Sequence, residues 1–517
     1  MKRTLSFLSS AVLALSVMGA QAASLKMAYD ADPVSLDPYE QLSGGTIQLS
    51  HMTYDPLVRW TQDLEFEPRL AEKWERIDEN TMRFHLRKGV KFHSGNDFTA
   101  KDVVFTFKRL QESPDFKGIF SPFKEAVMID DYTVDMVTKA PFPLMLNNMT
   151  YIFPMDSEFF SGADENGNPK DAMVKHGDSF ASRHISGTGP FTVDYREQGV
   201  RVEFKRNPTY WDTTSPGNVD NIKLTPIKEG PTRVAALLSG DVDFIAPVPP
   251  SDHERIKKNE NVELVTMSGT RIITLQLNGE RVEAFKNPKV RMAINYAINQ
   301  QGIVDKIMKG FATPAAQFSP AGYLGHNESL TPRYDLEKAK QLMKEAGYED
   351  GFSITMMAPN NRYVNDEKIA QAAASMLARI NIKVDLKTIP KAQYWPEFDK
   401  RSADIMMIGW HSDTEDTNNF FEFLSACPNT ETGMGQYNSG NYCNPAVDKM
   451  MVEANSETDT EKRAALMQSM EKAVYDDAGF VPLHWQNLSW GARKGVEAEA
   501  VVNVLNFPYL GDLVVEE

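Results

Sequence analysis

Cysteine is nearly missing from this chain, with two residues in 517, Cys427 and Cys443. So few thiols exclude a small disulfide-stapled scaffold and a thiolate zinc site, since no further ligands stand near either one. Basic charge is also short: 55 Lys and Arg face 71 Asp and Glu, a net charge of -16. A nucleic-acid partner is therefore not expected, because binding phosphates needs basic surface. Beyond the N-terminus no apolar run is long enough to span a bilayer, and the mean hydropathy is -0.40, so membrane insertion is not expected. Absent too are the nucleophile elbow G-x-S-x-G, the zinc signature H-E-x-x-H, the phosphate-cradling P-loop and the dinucleotide fingerprint. No repeat recurs at 20–50 residues, which excludes a solenoid or propeller.

What is present begins with a processing signal. Lys2 and Arg3 form a basic head, Leu5 to Met18 an apolar stretch, and Ala20-Gln21-Ala22 a small-x-small cleavage site. Cleavage after Ala22 gives a periplasmic protein, and no cysteine follows to carry a lipid anchor. In that oxidising space Cys427 and Cys443, 16 positions apart around a Gly/Asn-rich loop, are expected to pair.

The stretch with most chemistry runs from Asp404 to Cys427. Ile405 to Ile408 is an apolar run of buried-strand length. It breaks at Gly409 into Trp410, His411, Ser412 and Asp413. A buried strand that ends in glycine, an indole and a carboxylate places a charge at a cleft rim. There a desolvated aspartate attracts a cation such as a peptide's α-ammonium. The rival reading is an ordinary surface turn rich in Asp, Asn and Thr. His411 with Asp413, Glu415 and Asp416 is also the one cluster with metal-ligand chemistry, against which stands a plain solvated loop.

Along the chain, strands alternate with helices. Met82, Phe84 and Leu86 mark a half-buried strand. Thr99 with Asp102 forms a capping box for a helix bearing Val103, Phe107 and Leu110 on one face. Leu264 to Met267 and Ile272 to Leu277 are two strand-like runs around a Ser-Gly turn, read as a passage between lobes. Asn287, Asp335 and the Ala-rich 366–380 stretch mark further helices, and Ile382 to Leu386 another strand. The pattern predicts an α/β lobe.

The segment LAEKWERIDENTMRFHLRKGVKFHSGNDFTAKDVVFTFKRL, SGTGPF at Ser186 to Phe191 and RNPTYWD at Arg206 to Asp212 resemble family 5 extracellular solute-binding proteins. These are the dipeptide, oligopeptide and nickel receptors of ABC importers. Leu275 to Asn278, Val290 to Ile298, and Gly409-Trp410 with Asp413 match as well, in the family's order. The resemblance implies an α/β, two-lobed periplasmic binding protein of the cluster C type, with an extra subdomain in the first lobe. Residues 1–22 are then the signal peptide, 23–268 lobe I with the subdomain at about 54–183, 269–480 lobe II, and 481–517 the return to lobe I. It further implies a monomeric receptor without cofactor or catalysis, holding a dipeptide or short peptide for an inner-membrane ABC permease. An opine, glutathione, an oligosaccharide or a nickel chelate is the alternative ligand, and a secreted hydrolase the rival class. Asp413 would hold the ligand's α-ammonium beside Gly409, Trp410 and His411. Arg362, whose planar fork suits a carboxylate, would take the other end, or stand as an ordinary exposed arginine. Tyr363, Tyr394 and Trp395 would add aromatic lining, with core packing the other reading of Trp395. Asn418 and Asn419 would offer amides, and Ser43 to Thr46 backbone donors from lobe I.

Overall fold

In the computed structural model, which describes residues 23–175 and 177–516, one long mixed sheet runs through both lobes. The signal-peptide segment lies outside the described residues. Along the sheet the strands follow the order Ile382–Ile389, Phe352–Pro359, Ile405–Trp410, Val262–Leu277, Phe480–Arg493, Phe244–Ala246, Ala23–Tyr29, Val219–Leu224, Arg201–Arg206 and Phe191–Glu197. Ala312–Pro314 pairs beside the long Phe480–Arg493 strand. At the lobe II end, Phe352–Pro359 pairs in parallel with both its neighbours. Parallel pairing needs crossovers, and the Asp366–Ala378 helix supplies one. Its inward Ile369, Ala370, Ala373 and Leu377 are buried with Val290, Ile294 and Ala297 of the Pro288–Ala297 helix in one core. The caps read from sequence are made: Asn287 accepts from the Lys289 N–H and Asp335 from the Lys338 N–H at 3.0 Å each.

Lobe I adds a separate four-stranded antiparallel sheet in the order Ala71–Arg76, Thr81–Leu86, Thr133–Thr138 and Phe123–Asp130. The Ala100–Glu112 helix packs on it through Val103, Phe107 and Leu110, all buried. Its capping box is in place, with the Thr99 N–H donating to Asp102 at 2.9 Å.

One expectation is corrected. Leu264 to Met267 and Ile272 to Leu277 are not two strands around a turn but a single strand, Val262–Leu277, carrying a bulge. Its register against Phe480–Arg493 breaks between Met267 and Arg271. Here the chains approach so closely that a Cβ on Gly269 would lie 2.1 Å from the Gln486 carbonyl oxygen. A bulge rather than a turn keeps both long strands continuous from one lobe to the other, and it re-aims Arg271.

Cys427 and Cys443 are joined by a disulfide. Reducing it, or replacing both residues by Ser, is expected to cost about 3 kcal/mol of unfolding free energy, measured by denaturant titration with and without reductant.

Candidate functional site

The strand Ile405–Trp410 is buried along its whole length, and its C-terminal end opens into a cavity between the lobes. Lobe II lines it with Arg271, Arg362, Trp395, the Gly409 to His411 strand end, Asp413 and Tyr437. Lobe I contributes Gln41 to Gly44, Asp115 and Lys175. Ser43, Gly44 and Ile47, at the start of the Gly44–Thr53 helix, line this space.

Asp413 is 3 % exposed. Its backbone N–H donates to the Asn419 side-chain oxygen at 3.1 Å, which also accepts from the Trp410 indole at 2.9 Å. One amide thus orients both the indole and the carboxylate. Tyr151 of lobe I donates to Asp413 Oδ1 across 3.4 Å, while Oδ2 is buried with no partner among the described residues. Burial pushes this carboxyl up to about 8, against the pull of Arg271 and with the push of Glu415. An orphaned, buried carboxylate oxygen at a cavity suits a cation, since an ammonium there supplies both the opposite charge and the missing hydrogen bond.

His411 lies in the same wall, its Nε2 3.7 Å from Asp413, and burial holds its ring well below the ordinary imidazole range, so it is neutral near pH 7. Of the three acids read as its possible metal partners, Asp413 is beside it, while Asp416 and Glu415 face elsewhere. Asp416 is clasped by both guanidinium nitrogens of Arg463, at 2.5 and 2.7 Å, and Glu415 accepts from Tyr323.

Arg362 lines the cavity, with its Nε buried and unpartnered among the described residues and its guanidinium 5.0 Å from the Tyr363 ring. Tyr363 does not reach this cavity. It packs under Gly409 and donates to the Gly409 carbonyl at 3.3 Å. A Cβ at 409 would meet Ile273 at 2.5 Å and Tyr363 at 2.7 Å. Gly409→Ala is therefore expected to destabilise the fold by about 1–3 kcal/mol through overpacking, read from the chemical denaturation midpoint.

With Tyr363, two more expectations fail on position, those for Tyr394 and Asn418. Tyr394 is wholly buried in the core and donates to the Met407 carbonyl at 2.6 Å. Its neighbour Trp395, one step round the Lys391–Asp399 helix, faces the cavity instead. Asn418 also turns away, giving its amide to the Met451 carbonyl and to Asn455 behind the loop.

The sequence reading missed Arg271, Lys391 and Lys175. Arg271 gives one N–H to the Gly409 carbonyl at 3.2 Å. Burial and Arg362 hold its guanidinium down at about 10. A lone arginine before the apolar Ile272 to Leu277 run was the available signal. Lys175 bridges Asp115 of lobe I at 2.9 Å and Asp399 of lobe II at 3.2 Å. Tyr437 and Gln436 donate to Asp115 as well, and Asn147 to the Thr414 carbonyl. These bonds tie the two walls of the cavity together.

Residues 65–432 match the model of bacterial extracellular solute-binding proteins, family 5. The dipeptide-binding protein of Escherichia coli K12 is 29% identical over 513 residues, covering 93% of this chain and 92% of the relative. A glutathione-binding protein of Salmonella choleraesuis is 28% identical, with 92% and 91% covered. The periplasmic binding protein DppA from Helicobacter pylori, solved with the peptide STSA, superposes with a TM-score of 0.85 at 26% identity, covering 96% of this chain and 98% of that one. Among the described residues no helix is long and apolar enough to cross a membrane.

Proposed function

The chain belongs to the bacterial extracellular solute-binding proteins of family 5, and from that premise we propose that it captures a dipeptide or short peptide between its lobes and delivers it to an ABC importer. The observation that carries the ligand is Asp413, a buried carboxylate with one oxygen unsatisfied at a cavity between lobes. The peptide's α-ammonium sits on Asp413, and its carboxylate reaches Arg362. Trp410 and Trp395 flank the backbone, and His411 presents a neutral ring. Residues 23–268 with 481–517 form lobe I and 269–480 lobe II, hinged at the bulge before Arg271. The mature protein starts after Ala22, acts in the periplasm as a monomer and returns its ligand unchanged.

Closure excludes water, so contacts to ligand main-chain groups strengthen as the lobes meet. The relative named for glutathione keeps a second peptide-like solute in play. A thermal-shift screen with dipeptides, tripeptides, glutathione, opines and oligosaccharides tests the reading, because a ligand bound only by the native state raises the melting temperature. Free-amine peptides should raise it and their N-acetylated forms should not. A shift with sugars or opines alone would replace the peptide assignment, and ligand recovered cleaved would replace the receptor reading.

A further inference from the structure

A second, roomier compartment adjoins the first, and Gly44, Arg271 and Arg362 line both. It is walled by cations. Arg271, Arg362 and Lys391 face it, and among the described residues none of the three lies within ion-pair distance of a carboxylate. Two acids share the wall, Asp30 and Asp32, and Arg233 acts on Asp30 from outside it. Burial pushes the Asp30 carboxyl up, while Arg233, Lys391 and Arg362 pull it down.

Lys391 is the odd placement. It opens the Lys391–Asp399 helix, fixed there by its own N–H donating to Asn361 at 2.6 Å. A cation at a helix N-terminus opposes the positive end of the macrodipole. Burial and then Arg362 add to the cost and hold its ammonium down at about 8. Three unfavourable circumstances meet in one side chain, and an anion in the compartment would relieve them together. A single peptide carboxylate on Arg362 leaves Arg271 and Lys391 with no carboxylate in ion-pair contact among the described residues; Asp413 acts on the one, and Asp30 and Asp32 on the other, only from a longer distance.

We propose that this compartment is a second anion subsite, in which Lys391 and Arg271 take a further carboxylate of the ligand, so that the preferred substrates are acidic peptides. The inference rests on the peptide-receptor reading and adds a charge to it. The first turn of the Gly44–Thr53 helix, with Gly44 and Gly45 on the wall, lies where its N–H groups favour the same charge.

Calorimetry on the mature protein with two isosteric pairs tests it: the dipeptides Ala-Glu and Ala-Gln, and the tripeptides Ala-Ala-Glu and Ala-Ala-Gln. The acidic member of at least one pair should bind about tenfold tighter or more, as expected for a desolvated charge-assisted contact. Lys391→Gln should cut that preference to about twofold or less, with the variant's melting curve reporting that it is folded. Equal affinities within both pairs overturn the subsite and leave the peptide reading standing. A preference that Lys391→Gln does not reduce overturns the assignment to Lys391. Failure of all four peptides to bind overturns both readings.

Discussion

Asp413→Asn is expected to weaken binding of a free-amine dipeptide by about 3 kcal/mol or more, on the order of 100-fold, while making the empty protein more stable. The two effects share one cause. In the complex the carboxylate meets an ammonium inside the cavity, and truncating one partner leaves the other charge buried alone. Without ligand, Oδ2 has no partner among the described residues, and burial pushes the carboxyl up to about 8. An unfolded chain ionises this group near 3.8, whereas the folded chain keeps its proton to about 8. The folded state therefore binds more protons between those values. Its stability from this group is complete below about pH 4 and is lost as pH rises toward 8. At pH 7 the loss is on the order of 2–4 kcal/mol, and asparagine carries no such linkage. Differential scanning calorimetry of the unliganded variant should show a higher melting temperature than the parent at pH 7.5 and a smaller gain at pH 5. An unchanged empty-state melting temperature at both pH values would mean that Asp413 is solvated before ligand arrives.

Much of the fold was legible because its local signals agree with its tertiary use. The Thr99 capping box, the Asn287 and Asp335 caps and the alternation of Met82, Phe84 and Leu86 are all short-range patterns, and each appears where it was read. Asp413 was legible for a related reason: its strand is apolar to the last residue before the turn, so its exit point is fixed by burial. The failures come from phase and from distance. Tyr394 and Trp395 are adjacent in sequence, and only helix rotation decides which one faces the gap. Asn418 and Asn419 differ in the same way: Asn419 holds Asp413 and Trp410, while Asn418 serves the helix behind. The long Val262–Leu277 strand was divided because Ser268-Gly269 has turn chemistry. Close approach of the Gln486 carbonyl, from a strand far along the chain, turns that chemistry into a bulge.

Lys391 could have been found by conflict rather than by pattern. A lysine opening a helix contradicts the dipole preference, and such local contradictions concentrate where function overrides stability. Arg271 is a similar contradiction, a charge inside a long strand where its buried half begins. Both lie on the wall that the sequence reading left without a role, and both act on Arg362 through space.

Affinity for a free-amine dipeptide should rise by about tenfold per pH unit between pH 5.5 and 7.5, peak near pH 8 and fall again above it. The complex needs one proton shared between Asp413 and the ligand amine. Below pH 8 the separated partners hold two, because the buried carboxyl titrates at about 8 and a peptide amine at a similar value. Binding there releases about one proton, so it strengthens as pH rises. Above pH 8 the separated partners hold none, binding takes one up, and affinity declines. Titration calorimetry in two buffers of different ionisation enthalpy gives the proton count directly. A peptide whose amine is replaced by a quaternary ammonium keeps its charge, so its affinity should rise in the same way and then level off instead of falling. Asp413→Asn should lose the rising limb, since no carboxyl remains to be deprotonated. A flat profile from pH 5.5 to 7.5 with the parent protein would mean that the carboxylate is already ionised in the empty cleft. The rise with pH and the gain in empty-state stability of Asp413→Asn would then vanish together, because both depend on the same retained proton.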